Sequence, residues 1–271
     1  MSSMGAAYSK RMLSTKASAH QGMAVERYLW LASLAAIFLI WEGSVRLGAV
    51  PESRLPSFTA TVLTLASSLH DAGFIMRVAQ SFLNLTSGIF LALAVAMPLA
   101  LLAGLRNRFD TTMTPLIMLA GALPDIALLP ILVLWIGPGN AAAISIAAFS
   151  AFFPIYFTIR EGTQDISKDL FHVAAVFNTS RADTFRKLIL PAISPQLFTG
   201  LRLAYDFVWE IVLAIEIFSG VTGIGLYISK AVEAGDVAEA FAAILAVGMM
   251  AILVDRLVFG RAERWIRRWI D

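Results

Sequence analysis

The chain has 271 residues, 58% of them hydrophobic and 15% charged, with a mean hydropathy of +0.76 and a formal net charge of +2. That is more apolar side chain than a soluble domain of this length buries, so lipid is the expected solvent, and the small charge gives nucleic-acid binding no support. Absence of cysteine excludes disulfides, thiolate catalysis and Cys-based metal sites; His20, His70 and His172 lack metal-ligand spacing, and no Ser/His or His/Asp arrangement suggests a catalytic centre.

Residues 1–27 are polar and basic, with Lys10, Arg11, Lys16 and Arg27 and no acid before Glu26, which reads as a cytosolic tail, with a transit peptide as the alternative. About 20 apolar residues cross a hydrocarbon core of about 30 Å, and hydropathy with helix punctuation gives six spans: 28–47, 78–105, 113–136, 140–159, 193–219 and 237–259. The stretches 78–105 and 126–159 hold no Asp, Glu, Lys or Arg, and Gly137-Pro138-Gly139 divides the second into two helices. Between spans, 57–70 repeats Phe58, Val62, Leu65, Ala66 and Leu69 at helical spacing after Pro56 and predicts a short amphipathic helix. The glycine-rich 220–239 predicts a looped or half-helical segment. The transmembrane domain thus covers 28–260, followed by a basic tail, 261–271. With both termini inside, only Arg46, Arg54, Arg77 and Lys230 of the 21 basic residues lie outside, so the positive-inside rule favours that orientation. Trp30, Trp41 and Trp135 sit near span ends, where interfacial rings are expected.

The connection 163–191 is long for a compact bundle and reads as helix, turn, helix. Ser167 is the expected N-cap, Leu170, Val173, Ala174 and Phe177 form the first helix, and Asn178 suits a left-handed residue at its end. Ser180 with Asp183 resembles a capping box for a second helix, which Pro191 is expected to terminate. The run Val173-Ala174-Ala175 leaves one face open to close approach by a partner.

In the fifth span Arg202, Asp206 and Glu210 recur at i, i+4 and i+8, and Glu216 falls about 40° to the other side of Arg202, an arc of about 120° at 100° per residue. Tyr205 and Trp209 share that face. Charges at membrane depth need a partner or water, so the arc either lines a pathway or forms an interhelical network with Arg202 paired to Asp206. Asp125, flanked by Pro124 and near Pro130, is a second pathway candidate, because a proline-broken helix frees backbone groups that line a cavity. Three acids and one arginine do not compose an obvious anion pore.

From about residue 25 to 269 an ordered set of motifs resembles the inner-membrane permease subunits of binding-protein-dependent ABC importers, in the branch with nitrate, sulfonate, taurine and bicarbonate systems. The set comprises Leu55-Pro56-Ser57, Pro98 to Gly104, Pro124 to Pro130 with Leu134-Trp135-Ile136-Gly137, Phe153-Pro154, Gly200-Leu201-Arg202 and Asp255-Arg256-Leu257. In the connecting loop, Arg181, Phe185, Arg186, Lys187 and Leu190-Pro191 match the family's E-A-A, three residues, G pattern. His172 then stands at its Glu, Val173 and Ala174 at its two Ala, and Asn178 at its Gly. Asn for Gly is mild, since Asn tolerates the left-handed conformation, whereas His for Glu removes a negative charge.

The resemblance implies an all-α membrane protein with about six transmembrane helices, a type I ABC importer permease-like fold with cytosolic coupling helices, in the bacterial inner membrane. It implies coupling through Ser167, Leu170, His172, Val173, Ala174, Ala175, Asn178, Ser180 and Arg181, two partner ATPase subunits that hold ATP and Mg, an extracytoplasmic solute-binding protein and a second permease protomer forming a homodimer. Cofactors are expected on the partner alone, since no G-x-x-x-x-G-K-[ST] loop occurs in this chain. The pathway candidates are Asp125, Arg202, Asp206, Trp209, Glu210 and Glu216, for a nitrate-, sulfonate- or taurine-type anion or a thiamine-precursor-like compound. The rival readings are an ion-coupled secondary transporter and, with less to support it, an intramembrane lipid transferase.

Overall fold

Hydrocarbon offers the backbone no hydrogen-bond partners, so a chain this apolar must satisfy its amides internally, and helices do so segment by segment. The computed structural model describes residue 29 and residues 31–264; the N-terminal tail, Trp30 and most of the basic tail lie outside the described residues. A helix over 31–46 (α1) precedes α2 (Phe58–Ser68), α3 (Ala72–Leu105), α4 (Asn107–Gly121), α5 (Asp125–Ile136), α6 (Asn140–Gln164) and α7 (Lys168–Val176). Then come α8 (Arg181–Thr184), α9 (Leu190–Ser219), α10 (Ile224–Glu233) and α11 (Val237–Val254). A π turn, Phe185–Ile189, joins α8 to α9, and a second, Asp255–Phe259, extends α11. The chain divides into two compact units between Leu63 and Thr64.

In the first unit Glu42 on α1 accepts the Thr59 amide at 3.0 Å and its hydroxyl at 2.9 Å, while Trp41 Nε1 donates to the Pro56 carbonyl at 2.9 Å. The Phe58 ring stacks on Phe38.

In the second unit, α3, α6 and the helix Val237–Arg264 are each long and apolar enough to cross a membrane, and two bent pairs raise the number to five among the described residues. The first expected span, 28–47, coincides with α1, which is not among those five and whose predicted start lies outside the described residues. The third expected span is not one helix: α4 and α5 meet at 89°. Pro124 has no N–H to donate to α4 and disfavours helical geometry at Leu123, so the chain turns and restarts at Asp125. The fifth span bends by 48° where Gly220, at φ 67°, ends α9 in the left-handed conformation before α10 begins, the half-helix expected in 220–239. Pro191 does not terminate a second loop helix. The Leu190 amide bonds back to the Phe185 carbonyl across a wide turn, and Pro191, with no amide to place, sits in the first turn of α9.

Small residues set how closely these helices approach. Gly88, Ala92, Ala96, Ala100 and Ala103 are buried along α3, and the alanines share one core with Ala147 and Ala151 of α6. Gly88 lies against Ala147 and Gly104 against Thr163, so α3 and α6 run parallel. Gly162 packs on Gln196 and Gly200 on Ile155 and Thr158, so α9 runs antiparallel to α6. The second core lies where Leu129 of α5 meets Ile146 of α6 and Ile211 and Ile215 of α9.

Gly88→Leu should force α3 from α6 and cost at least about 1–3 kcal/mol as an overpacked contact, whereas Gly248→Leu, at a position with open space around it, should be tolerated. Size-exclusion profiles and thermal midpoints in detergent check this; equal behaviour of the two variants would refute the close approach.

Candidate functional site: the α7–α8 hairpin and the polar residues of the spans

The loop after α6 folds as its residue types dictate. Ser167 caps α7, its hydroxyl accepting the Asp169 amide at 3.3 Å. At the other end the Thr179 amide reaches the Ala174 carbonyl and the Asn178 amide the Ala175 carbonyl, both at 3.0 Å, with Asn178 at φ 46°. These are the two hydrogen bonds of a Schellman cap, with Asn in the place glycine usually holds. The Ser180 hydroxyl accepts the Asp183 amide at 3.1 Å and donates to its carboxylate at 2.9 Å. Lys187, 2.9 Å from Asp183, together with that hydroxyl holds the carboxyl below its ordinary pKa.

Phe171 and Phe185 pack against the main core and fasten the hairpin to the bundle. Nothing on α7 itself is fully buried. Leu170 and Val173 are about half exposed, Val176 and Phe177 are each 78% exposed, and His172, Ala175, Ser180 and Arg181 are exposed, with Ala174 half-buried. The result is a doubly capped helix that presents apolar side chains which no described residue of this chain covers.

The expected polar arc of α9 separates into two environments. Arg202, Asp206 and Glu210 are exposed, but Trp209 and Tyr205 are buried and Glu216 has no exposure at all. Arg202 does not pair with Asp206. Its guanidinium meets Asp255 at 2.8 Å and 3.1 Å, with Glu263 3.9 Å away, tying α9 to the end of α11. Glu216 accepts from the Ser81 hydroxyl (2.7 Å), the Gly225 amide (2.9 Å) and Asn84 (3.4 Å), and Ser81 also accepts the Ile224 amide at 2.8 Å. The first amides of α10 therefore converge on one carboxylate and one hydroxyl inside the bundle, where the helix dipole favours a negative group. Gly223 and Gly225 have no room for a Cβ beside Glu216, so the close fit requires them.

Asp125 is half-buried and accepts the Ser150 hydroxyl of α6 at 2.6 Å and the Ile126 amide at 3.0 Å. A further cluster went unread in the sequence. Arg160 and Gln164 of α6 both donate to Asp110 of α4, Gln164 at 3.0 Å, and Thr114 bridges Asp110 (2.6 Å) and the Tyr156 hydroxyl (2.8 Å). Arg160 counts in the sequence as one more inner basic residue, and nothing local signals its partner 50 positions earlier. No group of acids or histidines able to hold a metal ion occurs among the described residues.

Comparison with known proteins sets these features in a family. The bicarbonate transport system permease protein CmpB of Synechococcus elongatus is 29% identical over 250 residues, spanning 89% of this chain and 88% of CmpB. The nitrate import permease protein NrtB of Leptolyngbya laminosa is 32% identical over 194 residues, 72% of this chain and 70% of NrtB. The fold matches a chain of the inward-facing MetNI methionine ABC transporter with a TM-score of 0.61 at 14% identity, over 72% of this chain and 94% of that one.

Glu216→Ala would strand the Gly225 amide, Ser81 and Asn84, at about 1–3 kcal/mol for a buried group left without a partner, and should lower the thermal midpoint of the purified protein by about 5 °C. An unchanged midpoint would mean that this carboxylate does not hold α10. The described fold agrees with the match of residues 88–270 to the family model, and the chain belongs to the binding-protein-dependent transport system inner membrane component family.

Proposed function

We propose that this ABC importer permease is driven through the hairpin from Ser167 to Lys187, on which an ATPase subunit docks. The observation that carries the reading is the apolar face of α7, fixed by caps at both ends and uncovered among the described residues. A preformed helix loses little conformational freedom on binding, so its exposed Leu170, Val173, Val176 and Phe177 supply association energy without an ordering cost. Ala174 and Ala175 let a partner's groove close around the helix. His172 puts no negative charge where the family has its Glu, while Asp169 stands exposed in the first turn of α7, so the docking surface carries both signs.

Two such permeases, two ATPases carrying ATP and Mg, and an extracytoplasmic binding protein would complete the importer, with both termini of this chain cytosolic in the bacterial inner membrane. Positive-inside charge supports that orientation, and family membership supports the partner classes. The translocation pathway runs along the exposed side of α9, past Asp206 and Glu210. Neither is hydrogen-bonded or ion-paired among the described residues, and both are therefore free to meet water or solute. Arg202 stands at the end of this face with its charge already matched by Asp255, and Glu216 and Trp209 support the helix from inside rather than line it. The solute is small and polar. Bicarbonate and nitrate, named for the relatives, are the first to screen, although the acidic lining favours neutral or cationic solutes over them.

Purification of the tagged chain from native membranes in mild detergent should recover a P-loop ATPase. Ala174→Arg, which places a long charged side chain on the close-approach face, should reduce that recovery at least about tenfold, the equivalent of about 1.4 kcal/mol, with the permease still inserted. Recovery of the unmodified chain alone would count against the coupling reading, and uptake that follows an ion gradient and ignores internal ATP would favour a secondary transporter. Replacing Asp206 and Glu210 together by Asn and Gln should change uptake while leaving ATPase recovery intact; unchanged uptake would remove them from the pathway.

A further inference from the structure

The polar contacts that α6 makes with α4 and α5 follow one another along its length. Gln164, its last residue, donates to Asp110; Arg160, one turn back, grips the same carboxylate; Tyr156, one turn further, meets Thr114. Phe153 then lies against Gly121, and Ser150 donates to Asp125 at 2.6 Å. The 89° break of the bent span, residues 122–124, falls between the last two of these contacts. One continuous helix, with Pro154 between the two grips, therefore holds both halves of a broken span, each through a carboxylate.

The same helix leads directly into the docking hairpin. Only Asp165, Ile166 and the capping Ser167 separate Gln164 from α7, and Ile166 is buried, so the junction is short and anchored. The Asp110 side chain is 10% exposed and the Arg160 side chain 20% exposed. Two planar groups engaged through two N–H donors, with Gln164 and Thr114 occupying the remaining acceptor positions, resist both sliding and rotation. Ordinary apolar contacts in lipid lack that directionality.

We propose that α6 is the transmitting rod of this permease, and that Asp110, Arg160 and Gln164 are positioning residues that convert displacement of α7 into movement of the α4–α5 bend. Ser150 and Asp125 form the second grip, beyond the break. The proposal rests on α7 as the docking helix. Removal of the first grip should leave ATPase docking intact while the bend no longer follows it.

The absence of native cysteine allows this to be read with single labels. Leu134→Cys places a spin label on the exposed side of α5, and Lys168→Cys places one at the start of α7. Each is reconstituted in lipid with the co-purified ATPase, and label mobility is measured with and without Mg²⁺ and a non-hydrolysable ATP analogue. In Asp110→Asn and Arg160→Lys the nucleotide response at position 134 should fall by a factor between about 2 and about 30, the range over which residues in a coupling network act. The response at position 168 should persist. Arg160→Lys keeps the charge and loses only the two-point fork, so it decides the matter should Asp110→Asn fail to insert. A full response at position 134 in Arg160→Lys would overturn the clamp, and so would loss of both responses together, which would mark a general structural defect. Failure of the unlabelled parent chain to retain ATPase would instead overturn the docking assignment.

Discussion

The structure depends first on how closely α3 and α6 approach. Gly88, Ala92, Ala96, Ala100 and Ala103 leave no layer of large side chains between the two backbones. In hydrocarbon, where apolar surface gains nothing by leaving the solvent, such proximity supplies the dispersion contacts that hold helices together. With α3 on one flank and α9 on the other, α6 becomes the most enclosed of the long apolar helices. The α4–α5 bend hangs on it through Asp110 and Asp125, and the hairpin continues from its end.

The buried acids inside this framework have fixed duties because an unmatched charge is costly at low dielectric, whereas Gln196 Oε1, Tyr205 Oη and Trp209 Nε1 are buried without a hydrogen-bond partner among the described residues. Glu216 engages the start of α10, and it lies next to two glycines that could not carry a side chain there. Arg202 engages the end of α11. What is left exposed on α9, Asp206 and Glu210, is the small remainder that the packing does not use, which is why those two carry the pathway proposal rather than the whole arc.

The parts legible in the sequence were those set by local chemistry. Ser167, Asn178 and Ser180 announced the hairpin because capping involves amides only two to five positions away, and the apolar runs and Gly137-Pro138-Gly139 announced most span boundaries. Parts that depend on the third dimension were not legible. A helical wheel projects all of α9 onto one circle and therefore merged Arg202 with Glu216, although these residues lie 14 positions and roughly 21 Å apart along the axis and have different neighbours. Arg160 was only one more inner basic residue and Asp110 carried no reading at all; only the fold brings them together. Pro124 broke a span that the apolar count had made continuous, because hydropathy measures length and not direction.

Pro191 shows why a breaker can be present without a break. A proline within a helix removes one hydrogen bond and crowds the carbonyl four residues earlier. The π turn at Phe185–Ile189 absorbs that strain by reaching back five residues instead of four, and its one extra residue rotates everything downstream by about 100° relative to an uninterrupted helix. Arg186 and Lys187 thereby stay outside while Ile189 and Ile193, one turn apart, both enter the core. The second π turn has a related effect: Asp255 and Phe259 meet Arg202 and Tyr205 on the same helix. Both wide turns contact α9, whereas α6 contains none, so the two helices that leave the hairpin differ mechanically. The one that enters α9 begins in a turn with weaker hydrogen-bond geometry, and the one that enters α6 is continuous and gripped by side chains along its length. Under the proposed coupling a displacement of the hairpin passes chiefly into α6, where contacts on both sides of Pro154, Tyr156 with Thr114 and Phe153 with Gly121, hold the helix across its missing hydrogen bond.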